Sequence, residues 1–164
     1  MKNGIPILIT VILFSCTKKY EKFDLDISNS NYELNIKTGD FKINWYNNYR
    51  GKISLTKNEK TEINKLILDY NLDIIKGEKY VFGENPLIMP NFNDKFTITK
   101  NNKKVSEIII STQVSLEKSK LNQSEIEIYK FRTEIFKLLN QNIDFIRNMD
   151  TLRIANKKIR RIFL

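Results

Sequence analysis

The chain has 164 residues, of which 41% are hydrophobic and 11% aromatic, so it is long enough to bury the core of one folded domain. Histidine is absent and cysteine occurs once, which excludes Ser-His-Asp and Cys-His catalysis. The formal net charge of +9 would suit nucleic acid or anionic lipid, but the lysines are scattered, and we favour a solvated basic surface over a nucleic-acid site.

The first 16 residues have the layout of an export signal. Lys2 precedes an apolar run from Ile5 to Phe14, and the small residue Ser15 stands before Cys16. The run is shorter than the roughly 20 apolar residues that a membrane-spanning helix needs. The pattern therefore predicts a cleaved signal peptide over residues 1–15, the alternative being an apolar N-terminal helix with an incidental cysteine.

The four residues that end this run, Leu13-Phe14-Ser15-Cys16, resemble the lipobox of bacterial lipoproteins. Leu13, Ser15 and Cys16 fit the pattern, whereas Phe14 is larger than the residue usual in that family. The resemblance covers the export signal alone. It implies cleavage before Cys16, acylation of that cysteine with fatty acids such as palmitate, and anchoring to a membrane of the cell envelope, with the domain in the periplasm.

Residues 16–26 are polar and charged beyond the cysteine, and we interpret them as a lipidated tether. Residues 27–164 are then a single α+β domain. Apolar and polar residues alternate over residues 32–36 and 41–45, on either side of Thr38-Gly39, which predicts a β-hairpin. A short third strand is predicted around Ile53 and Leu55.

A helix is predicted after these three strands, and the order of strands followed by a helix then repeats. Thr56 and Glu59 form a capping-box pattern at the start of a helix predicted over residues 57–70. A second hairpin is predicted over residues 96–111 around Asn101-Asn102. Ser124 and Glu127 suggest another capping box, before a helix to about residue 148. Together these elements predict an α+β fold, with an antiparallel sheet of about five strands and two main helices packed on one face.

Two segments are candidate binding sites. The irregular stretch 72–93 contains an apolar segment between two prolines, which is either a partner-binding loop or a loop over the core: Pro86, Leu87, Ile88, Met89 and Pro90. The C-terminal tail is basic and interleaved with apolar residues, so it either binds an anionic membrane or acidic partner, or packs as a helix end: Arg153, Lys157, Lys158, Arg160 and Arg161.

These features favour binding over catalysis. We predict no catalytic residues, no metal, no cofactor and no nucleic-acid partner; the expected contacts are membrane lipid through acylated Cys16 and a protein of the envelope. The first hypothesis is a membrane-anchored lipoprotein that acts as a binding or assembly module. The alternative is an immunity or inhibitor lipoprotein that neutralises a toxin or hydrolase, and a carboxylate-based hydrolase ranks third.

Overall fold

The computed structural model describes residues 22–46, 48–83 and 93–160, without the side chains of residues 159 and 160. The described chain forms one sheet and three α-helices. The strands are β1 (Phe23–Ser28), β2 (Tyr32–Asn35), β3 (Asp40–Ile43), β4 (Arg50–Lys52), β5 (Gly77–Val81), β6 (Asn93–Lys100) and β7 (Lys103–Ser111). The helices are α1 (Lys57–Asp69), α2 (Gln123–Leu139) and α3 (Ile143–Arg160), with a single 3-10 turn at Leu72–Ile74 after α1.

The sheet has seven strands in the order β4-β3-β2-β1-β6-β7-β5. Every neighbouring pair is antiparallel except β5 and β7, which run parallel. The first strand in sequence is therefore the central one, hydrogen-bonded to β2 on one side and β6 on the other. Its apolar residues Phe23, Leu25 and Ile27 are buried on one face of the sheet, because successive side chains of a strand point to opposite faces.

The core lies between this apolar face and the three helices. Phe96 of β6 contacts Phe131 of α2 edge to face, with ring centroids 5.3 Å apart. Tyr32 of β2 meets Phe145 of α3 in the same way at 6.5 Å. From α1, Ile63 and Ile67 complete the cluster. Burial of these apolar side chains is the main favourable term for folding, at about 25 cal/mol per Å² removed from water.

The α+β class is as predicted, but the sheet is larger and mixed. β1 begins at Phe23, four residues before the predicted start of the domain, because Asp24 and Asp26 on its outer face give the strand the composition of a tether. β5 lies in the stretch predicted to be irregular, and it pairs with β7 in parallel across a long sequence separation. Both hairpins are confirmed, and the turn between β6 and β7 has Asn101 and Asn102 in the left-handed region.

The helices differ from prediction in the C-terminal half. The capping box of Thr56 and Glu59 is present as predicted. The second one is formed by Asn122 and Glu125, two residues before the predicted pair. The single helix predicted to residue 148 is two helices, because Asn142 accepts hydrogen bonds from the backbone N–H groups of the first turn of α3 and so starts a new helix.

Two asparagine side chains attach α3 to the edge of the sheet. The Asn142 amide donates to the Ser54 carbonyl at 3.0 Å, and the Asn148 amide donates to the Lys52 carbonyl at 3.2 Å. The Asn148 oxygen accepts a hydrogen bond from the Tyr49 hydroxyl at 3.0 Å. A Cβ atom on Gly51 would overlap the Asn148 oxygen, so a larger residue at this position would displace the Asn148 side chain from its hydrogen bonds.

This arrangement predicts a non-additive pair of mutations. Gly51→Ala should lower the free energy of unfolding by about 1–3 kcal/mol because it displaces the Asn148 side chain. Asn148→Ala alone should cost about 1–3 kcal/mol through lost hydrogen bonds. We expect the double variant to cost less than the sum by at least about 0.5 kcal/mol, measured by urea unfolding. Additive losses would show that the two residues act independently.

Candidate functional site

The register of the strands gives the sheet two distinct ends. Phe23 at the start of β1 pairs with Lys100 at the end of β6, and we call this end proximal because the chain enters the sheet here. Ser28 pairs with Lys95 near the other end, which we call distal. The eight residues of β6 separate the two ends by about 25 Å.

A cleft of about 580 Å³ opens at the proximal end, and we call it the basic cleft. It lies between the start of β1, the turn from β2 to β3 and the first turns of α1. Its lining residues are Lys22, Phe23, Asp24, Ile36, Lys37, Leu55, Lys57, Lys60, Thr61 and Asn64. Phe23 and Ile36 are buried and form an apolar floor, whereas the four lysines are exposed around the rim.

Hydrogen bonds between distant segments of the chain join the three walls of the cleft. The backbone N–H of Phe23 donates to the Asn64 side chain at 2.7 Å, which fixes the point where the chain meets α1. The Lys60 ammonium donates to the Lys37 carbonyl at 3.2 Å and so joins α1 to the turn between β2 and β3. The capping box at Thr56 sets the start of α1 and places Lys57 and Lys60 in its first turn.

The cleft carries an excess of positive charge. Its ten lining residues include four lysines and one aspartate, a net charge of +3. The aspartate, Asp24, is paired with Lys37 at 2.8 Å. The ammonium groups of Lys22 and Lys57 form no hydrogen bond or ion pair with any residue in the described ranges. An apolar floor, with two cations on its rim that have no partner in the described part of the chain, is suited to a ligand with an anionic group beside an apolar part.

The distal end has a different composition. Its described turns, between β1 and β2 and between β3 and β4, are rich in asparagine and contain no lysine: Asn29, Asn31, Asn44 and Asn48. The described chain stops at residue 83, shortly after β5, and resumes at Asn93, the first residue of β6. Both points at which segment 84–92 is attached therefore lie at this end. The residues that flank the predicted partner-binding loop are thus at the opposite end of the sheet from the basic cleft.

A buried ion pair lies beneath the distal end. Asp94 is 3% exposed, and its carboxylate accepts a hydrogen bond from Nε of Arg132 at 2.6 Å and from the Asn29 amide at 3.1 Å. The Arg132 guanidinium stacks over the Phe136 ring at 5.5 Å. Burial and the nearby Asp94 charge raise the pKa of Tyr32, which therefore stays a neutral phenol beside this pair.

The second face of the sheet carries no helix among the described residues and is polar. Hydrogen bonds from Lys95 and Lys104 hold the pKa of Glu107 below its usual range. Burial raises the pKa of Asp26, although the Asn35 amide donates a hydrogen bond to it. The carboxylates Glu107 and Asp26 are thus already engaged by neighbouring side chains, so we interpret their contacts as structural.

The structure describes only part of the predicted sites. Cys16 and residues 86–90 fall outside the described residues. Arg153, Lys157 and Lys158 are exposed on α3, the side chain of Arg160 is not described, and Arg161 lies beyond the described chain. Since Asp144 contacts Ser54 and Asn148 contacts Tyr49, α3 runs towards the distal end, and Arg153, Lys157 and Lys158 lie on the part of the helix that leads away from the cleft. No helix in the described ranges is long and apolar enough to cross a membrane.

Comparison with known proteins adds no functional assignment. A scan against protein-family models gave no match, and a search of curated proteins gave none either. Within the described ranges no group of three or more acidic, histidine or cysteine side chains is placed to hold a metal ion. The cleft and the Asp94–Arg132 pair were not predicted, because each joins residues from separate segments; the capping box was the one local signal that placed two of the cleft lysines.

The buried pair predicts a strong dependence on Arg132. Arg132→Met should lower the free energy of unfolding by about 3–5 kcal/mol, because Asp94 stays buried without its cation. The double variant Asp94→Asn/Arg132→Met should recover most of that loss. As a control, Lys137→Met breaks an exposed pair with Glu134 and should cost under about 1 kcal/mol in the same unfolding measurement. A double variant no more stable than Arg132→Met would contradict the proposed pairing.

Proposed function

We propose that this protein is a lipid-anchored binding module of the bacterial envelope, held to the membrane through Cys16 and presenting its distal end to a protein partner. The observation that carries the proposal is the opposition of the two ends of the sheet. The chain that leads back to Cys16 leaves the proximal end, and the segment containing Pro86–Pro90 is attached at the distal end.

The length of the tether supports this orientation. Six residue steps separate Cys16 from Lys22, and fully extended chain spans at most about 3.6 Å per residue, so the proximal end lies within about 22 Å of an acylated cysteine. The distal end is about 25 Å farther along the sheet. A partner that approaches from the periplasm would meet the asparagine-rich turns, and the described residues that flank segment 84–92, before the lysine-rich end.

The chemistry of the chain supports binding over catalysis. The sequence contains no histidine, and acylation would consume its one thiol. Among the described residues two carboxylates are buried: Asp94 is neutralised by Arg132, and Glu107 by Lys95 and Lys104. Carboxylates that are already paired within the fold are not available to exchange a proton with a substrate. They are suited to a rigid binding surface.

The anchor is tested by changing Cys16 to alanine in the full-length chain. We expect the wild-type protein in the membrane fraction with labelled fatty acid on Cys16, and the Cys16→Ala variant without label. Durable anchoring takes more than one acyl chain, so loss of the acylation site should release the processed domain, or leave an unprocessed precursor with its signal still attached. Processing and fatty-acid labelling unchanged in the variant would contradict anchoring through Cys16.

The partner surface is tested by site-specific photo-crosslinking in intact cells. A photoreactive residue at Gln113, exposed just beyond the distal end of β7, should give a discrete crosslinked protein band. The matched position is Lys65, exposed on α1, which should give none. A single band that requires the segment 86–90, as judged by replacing those five residues with glycine and serine, supports the proposal. Equal crosslinking from both positions would contradict a distal partner site.

A further inference from the structure

We infer that the basic cleft binds the headgroups of anionic phospholipids and so docks the proximal end of the domain against the membrane surface. This inference rests on the proposed lipid anchor and adds a second, non-covalent contact to it. The occupant is a phosphodiester headgroup with its glycerol and upper acyl chain, since the cleft combines an apolar floor of Phe23, Ile36 and Leu55 with cations on its rim.

Charge complementarity is the first argument. An anionic phosphate would meet Lys22 and Lys57, which have no acidic partner in the described ranges, as well as Lys60, whose ammonium is held by the Lys37 carbonyl. Two further lysines lie at the same end of the sheet, in the hairpin between β6 and β7: Lys100, whose ammonium is 5.7 Å from the centre of the Phe23 ring, and Lys103. An anionic membrane attracts each lysine near its surface.

The path of the chain is the second argument. Lys22 both lines the cleft and is the first residue that the structure describes, so the cleft lies where the chain leads back to Cys16. With at most about 22 Å of extended chain between the two, the cleft cannot move far from the bilayer. Confinement of this kind raises the local concentration of headgroups, so a weak individual affinity is sufficient for occupancy.

The fold also separates this contact from the basic tail. Arg153, Lys157 and Lys158 extend towards the distal end along α3, so the tail and the cleft would not face one flat membrane together. The cleft therefore replaces the tail as the membrane-facing basic surface. Lys157 and Lys158 give a control pair that removes the same amount of charge as Lys22 and Lys57.

The test is lysine footprinting of the lipid-bearing protein, purified from envelopes and reconstituted in vesicles. One set of vesicles contains phosphatidylcholine alone and the other contains phosphatidylcholine with about one third phosphatidylglycerol. We expect amine acylation of Lys37, Lys57 and Lys60 to slow at least about fivefold in the anionic vesicles, and the protection to disappear in high salt. Lys118, Lys157 and Lys158 should react at the same rate in both.

Variants distinguish the cleft from general charge. Lys22→Gln/Lys57→Gln removes two cations whose side chains make no ion pair with the described residues, and it should abolish most of the protection of Lys37 and Lys60. Lys157→Gln/Lys158→Gln should leave it intact. Protection that is equal in the two kinds of vesicle, or protection of the tail lysines in place of the cleft lysines, would overturn the inference.

Mass spectrometry of the peptides from the footprinted protein also reports on the anchor separately. A Cys16 peptide without lipid would contradict the proposed function and leave the cleft testable, because the protein can then be added to preformed vesicles and footprinted in the same way. Phosphatidylglycerol-dependent protection under those conditions would support the cleft alone. A lipid-bearing peptide with unprotected cleft lysines would support the anchor and refute the cleft.

Discussion

The pairing of β1 with both β2 and β6 is the interaction on which the rest of the structure depends. It places β1 at the centre of the seven-stranded sheet and joins the strands β2, β3 and β4 to the hairpin of β6 and β7. Because the chain enters the fold at the start of this strand, the central position of β1 also fixes where the tether leaves the domain. The hydrogen bond from Phe23 to Asn64 ties the same point to α1.

The parts of the fold that could be predicted are those governed by neighbours in sequence. The two antiparallel hairpins follow from period-two alternation around turn residues, and the start of α1 follows from its capping box. β5 could not be predicted in this way, because its hydrogen bonds go to β7, a parallel partner about 29 residues later. The break between α2 and α3 comes from the Asn142 cap on the first turn of α3, a local signal that the apolar periodicity outweighed. The contact of Asn142 with Ser54 has no local pattern in the sequence.

The candidate site was still less accessible from sequence. Lys22, Lys37 and Lys57 are separated by 15 or more residues, and only the sheet register and the packing of α1 bring them to one cleft. In a chain with 28 lysines and arginines, such a cluster has no local signature. The sequence predicted a cysteine anchor and a basic surface. It placed the candidate membrane-binding cations in the C-terminal tail, but helix α3 leads away from the proximal end.

The charge of the proximal end arises from how its acids are used within the fold. Asp24 pairs with Lys37 at 2.8 Å, and Asp40 pairs with Lys52 at 2.9 Å. The Glu59 carboxylate is turned back to the Thr56 N–H and the Asn142 amide, where it completes a cap and holds α3. Each of these three acids thus makes a structural contact, while Lys22 and Lys57 have no acidic partner among the residues that the structure describes. The excess of positive charge at this end is therefore a consequence of the contacts that stabilise the fold.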